Sequence, residues 1–132
     1  MRVLVTGAAG FIGFNVSRHL LARGDTVLGI DCLNDYYDVA LKQARLAELG
    51  KLGDGFAFKQ VDFSDHVALD AALDGEDFDR IVHLGAQAGV RYSIENPRAY
   101  LQANLAGHLN MIEIGRNRQV KHLVYASSSS VY

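Results

Sequence analysis

The chain has 132 residues, a formal net charge of −2 and a mean hydropathy of +0.04, and 49% of its residues are hydrophobic. This composition predicts one folded domain with a true core. Lys and Arg are too dispersed for a nucleic-acid surface, no apolar run is long enough to span a bilayer, and the single cysteine, Cys32, excludes an internal disulfide. We therefore expect a cytoplasmic protein without nucleic-acid or membrane partners.

Short apolar, β-branched runs alternate with helical stretches along the chain. The runs predict buried parallel strands over residues 3–6, 26–30, 56–61, 80–84 and 122–126. The stretches between them predict helices over residues 11–23, 35–49, 65–73 and 97–116. In the first, Ile12, Val16 and Leu20 repeat every fourth residue. The last has Asn96 as its N-cap, Pro97 at its first position, and an apolar stripe formed by Leu101, Leu105, Leu109 and Ile112.

This alternation predicts the α/β class, a Rossmann-type doubly wound parallel sheet with helices on both faces and right-handed crossovers. The last residues directly follow a core strand. We therefore expect a sheet truncated after about the fifth strand, whose last strand leaves an exposed edge that favours self-association.

Three glycines follow the first strand at the spacing G-x-x-G-x-x-G. Gly7 allows a tight turn, Gly10 allows the backbone to approach a pyrophosphate, and Gly13 allows the helix to pack closely on the sheet. The helix that begins with Phe11 and Ile12 directs its free N–H groups at the phosphates. The pattern predicts a dinucleotide site. The alternative is a turn that only needs flexible residues.

Asp31 ends the second strand, eighteen positions after Gly13. A carboxylate there accepts hydrogen bonds from ribose hydroxyls and repels the 2′-phosphate of NADP. No arginine stands beside it in the sequence, so the predicted cofactor is NAD. Alternatively, Asp31 only caps the loop that follows.

Asp62 and Phe63 end the third strand, beside the expected adenine position. The Asp62 carboxylate is predicted to bind the exocyclic amine, and the Phe63 backbone a ring nitrogen. In the alternative interpretation Asp62 starts a turn, and Ser64 or Asp65 caps the next helix.

Four blocks carry a family resemblance that covers almost the whole chain: TGAAGFIG at 6–13, GIDCLNDYY at 29–37, HLGAQAGVRYS at 83–93 and YASSSSVY at 125–132. They resemble the extended short-chain dehydrogenase/reductase proteins, the nucleotide-sugar epimerases and dehydratases. The middle two are most similar to those of the UDP-glucuronate 4-epimerases. The resemblance implies that residues 1–132 are the NAD-binding N-terminal part of a longer enzyme, a homodimer when full length, that binds a UDP-sugar and epimerises it through transient oxidation at C4.

The resemblance also implies roles for single residues. Leu84, Gly85 and Ala86 would line the central ribose and pyrophosphate, and Asn34 would join the cofactor site. Asn104 would face the nicotinamide. Ser128 would be the catalytic hydroxyl on the sugar 4-oxygen, with Ser127 and Ser129 as alternatives in register. By composition alone the serine run is a polar loop.

The chain departs from the family pattern in three respects. Cys32 stands where Asn is usual, and Gly85 where Ala is usual. The family's Tyr-x-x-x-Lys pair does not occur within the 132 residues, so we expect little or no activity from this chain alone.

A 4,6-dehydratase would carry an acidic pair where Ser129 and Ser130 stand. A non-catalytic NAD-binding or redox-sensing module is the remaining alternative. The histidines show no metal-ligand spacing.

Overall fold

In the computed structural model, which describes residues 1–132, five parallel strands form one sheet. The strands are β1 (Arg2–Thr6), β2 (Thr26–Asp31), β3 (Phe56–Gln60), β4 (Arg80–His83) and β5 (His122–Tyr125). Their order, β3-β2-β1-β4-β5, places β1 at the centre. This order reverses direction at β1, as in the doubly wound Rossmann sheet. The predicted fold class is confirmed.

Helices connect successive strands: α1 (Phe11–Ala22), α2 (Val39–Gly50), α3 (His66–Leu73), and, before β5, α4 (Val90–Glu95), α5 (Pro97–Tyr100) and α6 (Gly107–Asn117). A π-helical segment (Leu101–Ala106) joins α5 to α6, and a 3₁₀ turn (Ser129–Val131) follows β5. The Asn96 cap is confirmed, because its side chain accepts a hydrogen bond from the Ala99 N–H. The sequence did not predict α4.

The second helix begins later than predicted. Residues 35–38 stay outside α2 because Asp38 is its N-cap, with Oδ1 accepting from the Ala40 N–H at 2.9 Å. An N-cap residue has a non-helical backbone and fixes the first turn. The helix therefore starts at Val39, and the loop before it is free to follow the edge of the sheet.

Small residues bring α1 close to the sheet. Its buried residues are Gly13 and Ser17, whereas Ile12, the first residue of the four-residue repeat, is 62% exposed. The repeat therefore does not mark the buried face at Ile12. A helix that packs through small side chains approaches a neighbouring layer more closely than one that packs through leucines.

The predicted stripe of the last helix also points the other way. Leu101, Leu105, Leu109 and Ile112 are all exposed, and the core instead receives Gly107, Met111, Ile114 and Gly115. The π-helical segment widens one turn and shifts the faces of the helix that follows it. The sequence pattern assumed an uninterrupted α-helix and so assigned the wrong face.

Two apolar clusters cover the two faces of the sheet, as the alternation along β1 requires. Leu4, Leu28 and Ile81 belong to the larger cluster with Met111 and Phe63, and Val3, Val5 and Val27 belong to the smaller one. β5 pairs only with β4, and three of its four residues are exposed. The carboxyl ends of all five strands meet at one edge, where the candidate site lies.

Candidate functional site

A cavity of about 610 Å³ lies at the carboxyl ends of the central strands. Its size is in the usual range for small-molecule and cofactor sites. The cavity wall contains every predicted cofactor residue except Asn104, namely Gly7, Gly10, Phe11, Ile12, Gly13, Asp31, Asn34, Asp62, Phe63, Leu84, Gly85 and Ala86. Residues that are far apart in the sequence are thus brought into one wall by the strand order.

Two glycines of the turn after β1 have no room for a side chain. Gly7 has φ +69°, and a Cβ there would lie 2.9 Å from the Gly85 backbone nitrogen. A Cβ on Gly13 would overlap the Gly7 carbonyl oxygen and lie 2.7 Å from its carbonyl carbon. The turn therefore needs glycine for a left-handed backbone at one position and for a close approach at the other. Flexibility alone does not explain it.

The first turn of α1 presents unpaired donors to the cavity. The Phe14 N–H bonds the Gly10 carbonyl at 2.9 Å, but the N–H groups of Phe11, Ile12 and Gly13 have no acceptor within the protein. No side chain caps this helix. Free N–H groups and the positive end of the helix dipole together form an anion site.

Both oxygens of Asp31 accept backbone hydrogen bonds. Oδ2 accepts from the Ala9 N–H at 3.1 Å, and Oδ1 accepts from the Leu33 N–H at 2.9 Å. Asp31 therefore caps the loop that follows it. The same bonds hold the carboxylate in the cavity wall, where its remaining lone pairs can accept further hydrogen bonds.

Two cations from α2 line the same end of the cavity, and sequence reasoning missed both. Arg45 Nη1 donates to the Ala9 carbonyl at 3.1 Å and to the Tyr37 hydroxyl at 3.2 Å. Lys42 Nζ donates to the carbonyl and side-chain oxygens of Asn34 at 2.7 and 2.9 Å. Arg45 thus lines the same cavity as Asp31, although no arginine stands beside Asp31 in the sequence. The i, i+3 spacing of the two cations on a helix next to the Asp31 loop was the available signal.

Asp62 starts a turn, as the alternative interpretation predicted. Its Oδ1 accepts from the Ser64 N–H and hydroxyl at 2.9 and 2.7 Å, and Asp65 caps α3 through the Ala68 N–H. The Phe63 carbonyl accepts from Asn110 Nδ2 at 2.9 Å. The Phe63 N–H has no acceptor within the protein, so it is the backbone group at this position that is open to a ligand.

The unusual glycine at position 85 makes room for the Phe63 ring. A Cβ on Gly85 would overlap the edge of that ring and would lie 3.1 Å from Thr6 Oγ1. The ring is 8% exposed and belongs to the larger apolar cluster. Glycine, instead of the usual alanine, therefore stands at position 85 where the Phe63 ring packs against the backbone.

Asn104 lies outside the cavity wall and holds the loop after β4. Its Oδ1 accepts from the Gln87 N–H at 2.8 Å, and its Nδ2 donates to the Gln87 carbonyl at 3.0 Å. Both polar atoms of the side chain are thereby occupied within the protein. The structure gives Asn104 a part in shaping the wall and no contact with the cavity itself.

Ser128 also lies outside the cavity, in the exposed segment after β5. Its Oγ accepts from the Ser130 N–H at 3.1 Å and caps the 3₁₀ turn. The structure therefore does not bring Ser128 next to the residues of the cofactor wall.

A buried hydrogen-bond cluster that sequence reasoning missed connects β1 to β4. Thr6 Oγ1 accepts from the Leu84 and Gly85 N–H groups at 3.0 and 2.9 Å and lies 2.7 Å from His83 Nδ1. Burial of the ring, together with the nearby His108, lowers the pKa of His83 to about 4. Both residues end strands that lead into the cavity wall, and that placement was the only signal in the sequence.

No group of three or more His, Cys, Asp and Glu side chains is arranged to hold a metal ion. None of the helices combines the length and the apolar character that crossing a membrane requires. Burial raises the pKa of the Cys32 thiol, which lines the cavity, so the thiol stays protonated.

Comparison with known proteins agrees with this geometry. The model of the NAD dependent epimerase/dehydratase family matches residues 3–132. An uncharacterized Escherichia coli protein is 52% identical to this chain over all 132 residues, and the match covers 39% of the length of that protein. A UDP-glucuronate 4-epimerase of Thermodesulfobacterium geofontis is 48% identical over 98% of the chain and 40% of its own length.

The solved structures show the same fold. A crystal structure of UDP-glucuronic acid 4-epimerase from Bacillus cereus, in complex with UDP-glucuronic acid and NAD, superposes on the whole chain with a TM-score of 0.87 at 31% identity. The chain covers 41% of that structure, and it spans about two fifths of the curated relatives it matches. The chain belongs to the NAD dependent epimerase/dehydratase family.

Proposed function

We propose that this chain is the NAD-binding part of a UDP-glucuronate 4-epimerase, with residues 1–132 forming one cofactor domain. The observation that carries the proposal is the cavity wall, in which a glycine turn without room for side chains, an open helix N-terminus and a fixed strand-end carboxylate face one space. These are the groups that bind a dinucleotide in a doubly wound sheet. The names of the relatives support the substrate.

The residues present suit the adenine, ribose and pyrophosphate parts of the cofactor. The free N–H groups of Phe11, Ile12 and Gly13 suit a pyrophosphate, and Asp31 suits the adenosine ribose. The free Phe63 N–H suits an adenine ring nitrogen, with Asp62 beside it. Leu84, Gly85 and Ala86 line the wall on the other side of the turn.

NAD is favoured over NADP by charge. The Asp31 carboxylate disfavours a second phosphate on the ribose that it contacts. Lys42 and Arg45 keep their positive charges, because the oxygens of Asn34, Ala9 and Tyr37 to which they donate are neutral, so the preference for NAD rests on the Asp31 carboxylate. We expect tighter binding of NAD than of NADP, with Asp31→Asn narrowing the difference.

In the proposed reaction, NAD supplies a reversible hydride acceptor at the sugar C4. The chemistry that it would supply is removal of the C4 hydride and its return to the other face of the 4-keto sugar, while a base would take up and return the hydroxyl proton. The base would come from the Tyr-x-x-x-Lys pair, which is outside these 132 residues. Ser128 would donate a hydrogen bond to the 4-oxygen through its hydroxyl proton, which the present bond from the Ser130 N–H leaves free.

The test of this function uses the purified chain. Isothermal titration is expected to show saturable NAD binding and weaker NADP binding. Incubation with NAD and UDP-glucuronate is expected to yield no UDP-galacturonate. Absence of NAD binding would overturn the cofactor assignment. Conversion of UDP-glucuronate by the chain alone would overturn the claim that it lacks the base.

We further propose a homodimer through the exposed stripe Leu101, Leu105, Leu109 and Ile112. Leu105 is 65% exposed, and the four exposed side chains recur at i, i+4, i+8 and i+11 along the π-helical segment and α6, and exposed apolar patches mark interaction sites. A second copy of the chain offers the same apolar stripe as its partner. In an antiparallel pairing centred on Leu105, Leu101 meets the partner's Leu109, and Leu105 meets the partner's Leu105.

The oligomeric state tests this pairing by analytical ultracentrifugation. We expect Leu105→Glu to give a monomer, and Val67→Glu, at an equally exposed position on α3, to leave the dimer intact. Leu101→Glu and Leu109→Glu are each expected to weaken association, because these two positions face each other in the pairing. A monomeric starting protein, or a Leu105→Glu variant that stays dimeric, would refute the pairing.

A further inference from the structure

Three hydrogen-bonding groups converge on the hydroxyl oxygen of Thr6. The N–H groups of Leu84 and Gly85 donate to it at 3.0 and 2.9 Å, and His83 Nδ1 lies 2.7 Å away. A hydroxyl oxygen has two lone pairs and one proton. Because the backbone N–H groups can only donate, they use the two lone pairs. The Thr6 proton must therefore go to His83 Nδ1.

The hydrogen bonds around Thr6 fix the protonation state of the His83 imidazole. Nδ1 accepts from Thr6, so it carries no proton, and the neutral ring carries its proton on Nε2. The ring is 5% exposed. The groups packed against it are the edge of Phe63, with ring centroids 5.1 Å apart, and His108 of α6 at 5.3 Å, which in turn contacts Tyr125 of β5. No carboxylate is among these groups, so nothing compensates a positive charge on His83.

The atoms held by Thr6 are part of the cavity wall. Leu84 and Gly85 line the cavity, and a Cβ on Gly7 would lie only 2.9 Å from the Gly85 nitrogen and 3.2 Å from the Leu84 carbonyl carbon. The glycine turn after β1 and the loop after β4 thus touch at this point. A small shift of the Gly85 peptide changes the space that the turn leaves for a ligand.

We propose that His83 is a positioning residue for the cofactor site: by accepting the Thr6 proton it directs the two acceptor lone pairs of Thr6 at the Leu84 and Gly85 N–H groups and so fixes the wall. The proposal rests on the proposed cofactor function. An imidazolium at position 83 would present a donor at Nδ1 to a hydroxyl that already accepts two hydrogen bonds. At least one backbone N–H would then lose its acceptor, and the wall would move.

Nitrogen NMR of the imidazole tests the inference without any ligand. In the chain at pH 6, we expect His83 Nδ1 to show the chemical shift of an unprotonated ring nitrogen and Nε2 that of a protonated one. Thr6→Val, which has the same shape but no hydroxyl, should release the ring into a mixture of tautomers, whereas Thr6→Ser should retain the assigned one. An Nδ1-protonated ring in the unaltered chain would overturn the proposal.

NAD titration tests the consequence for the site. We expect Thr6→Val and His83→Phe to weaken NAD binding about tenfold or more, the loss of one well-made hydrogen bond in a wall. Thr6→Ser and His83→Asn, whose side-chain oxygen can replace Nδ1 as an acceptor, should bind within about threefold of the unaltered chain. Equal affinity of all four variants would refute the positioning role. If no form binds NAD, the proposed function fails, and the tautomer measurement still decides the state of His83.

Discussion

Asn104 holds Gln87 by both of its backbone polar groups, accepting from the N–H at 2.8 Å and donating to the carbonyl at 3.0 Å. One side chain in the π-helical segment thereby fixes the loop that carries Leu84, Gly85 and Ala86. A paired contact of this kind orients a peptide plane, which a single hydrogen bond does not. The family resemblance had placed Asn104 against the nicotinamide, and the structure supplies a different reason for an asparagine at this position.

Replacing Asn104 should therefore weaken cofactor binding without touching the cofactor wall. We expect Asn104→Leu to lower NAD affinity about tenfold, because both bonds to Gln87 are lost and the loop is released. Isothermal titration measures the change. Asn117→Leu, at the exposed end of α6, is the control and should bind NAD as before. An Asn104→Leu variant with unchanged NAD affinity would show that the hydrogen bonds to Gln87 are not needed to hold the loop.

Gly13→Ala tests the close contact between α1 and the glycine turn. The added methyl overlaps the Gly7 carbonyl oxygen, so we expect a loss of about 3 kcal/mol in the free energy of unfolding, together with loss of NAD binding. Gly50→Ala is the matched control, since a Cβ there meets nothing within 4 Å. It should stabilise the chain by about 0.5 kcal/mol, because alanine suits a helix better than glycine. Urea unfolding compares the two.

The fit of Phe63 beneath Gly85 predicts a non-additive pair. Gly85→Ala should destabilise the chain, because the methyl overlaps the ring edge. Phe63→Leu should also destabilise it by about 1 to 2 kcal/mol, because it removes buried apolar volume. In the double variant, the smaller side chain leaves room for the methyl. We expect a coupling of about 1 kcal/mol or more in a double-mutant cycle, and strict additivity would contradict the account.

As the pH falls, titration of His83 should lower the free energy of unfolding before titration of the carboxylates does. Its pKa is 6.5 when unfolded and about 4 in the fold. Between these values the unfolded chain holds a proton that the folded chain lacks, so the free energy of unfolding falls as the pH drops from 6.5 to 4. We expect a loss on the order of 2 kcal/mol. The carboxyl pKa values of Asp25, Glu76 and Asp79 are lowered by their ion-pair and hydrogen-bond partners, so their contribution is lost only at lower pH.

Urea unfolding at a series of pH values, repeated with His83→Asn, separates the two contributions. The variant lacks an imidazole at this position and should show a flatter profile above pH 4. An unchanged profile would mean that another group titrates in this window.

Ser17 offers a stabilising substitution. Its hydroxyl oxygen is fully buried on the sheet face of α1 and has no hydrogen-bond partner. Ser17→Ala removes the unsatisfied group and favours the helix, so we expect a gain of about 1 kcal/mol in the free energy of unfolding. Thermal unfolding checks it, and a lower midpoint would indicate that the hydroxyl has a partner after all.

Strand positions and the glycine turn could be predicted from the sequence because they depend on local pattern. Five β-branched runs identified the strands to within about one residue, and three glycines identified the turn. Leu105 was assigned to the wrong face because helical periodicity does not reveal which face the sheet covers. At Leu105, a widened turn had also shifted the register.

The side-chain network of the site was beyond sequence reasoning for a different reason. Thr6 and His83 are 77 positions apart, and Arg45 lies 36 positions from Ala9. These contacts depend on the strand order and on the position of α2 beside the glycine turn. Neither can be predicted from a short stretch of sequence. Asp31 and Asp62 were found because strand ends are local features, but their hydrogen-bond partners were not.

The central position of β1 has a consequence for how the chain is made. β1 and the glycine turn leave the ribosome well before β4, yet one edge of β1 pairs with β4, and Gly7 packs against Gly85. At a synthesis rate of about 5–20 residues per second, the turn waits for several seconds with only β2 beside it. The cofactor wall therefore cannot close on a nascent chain until the loop after β4 has emerged.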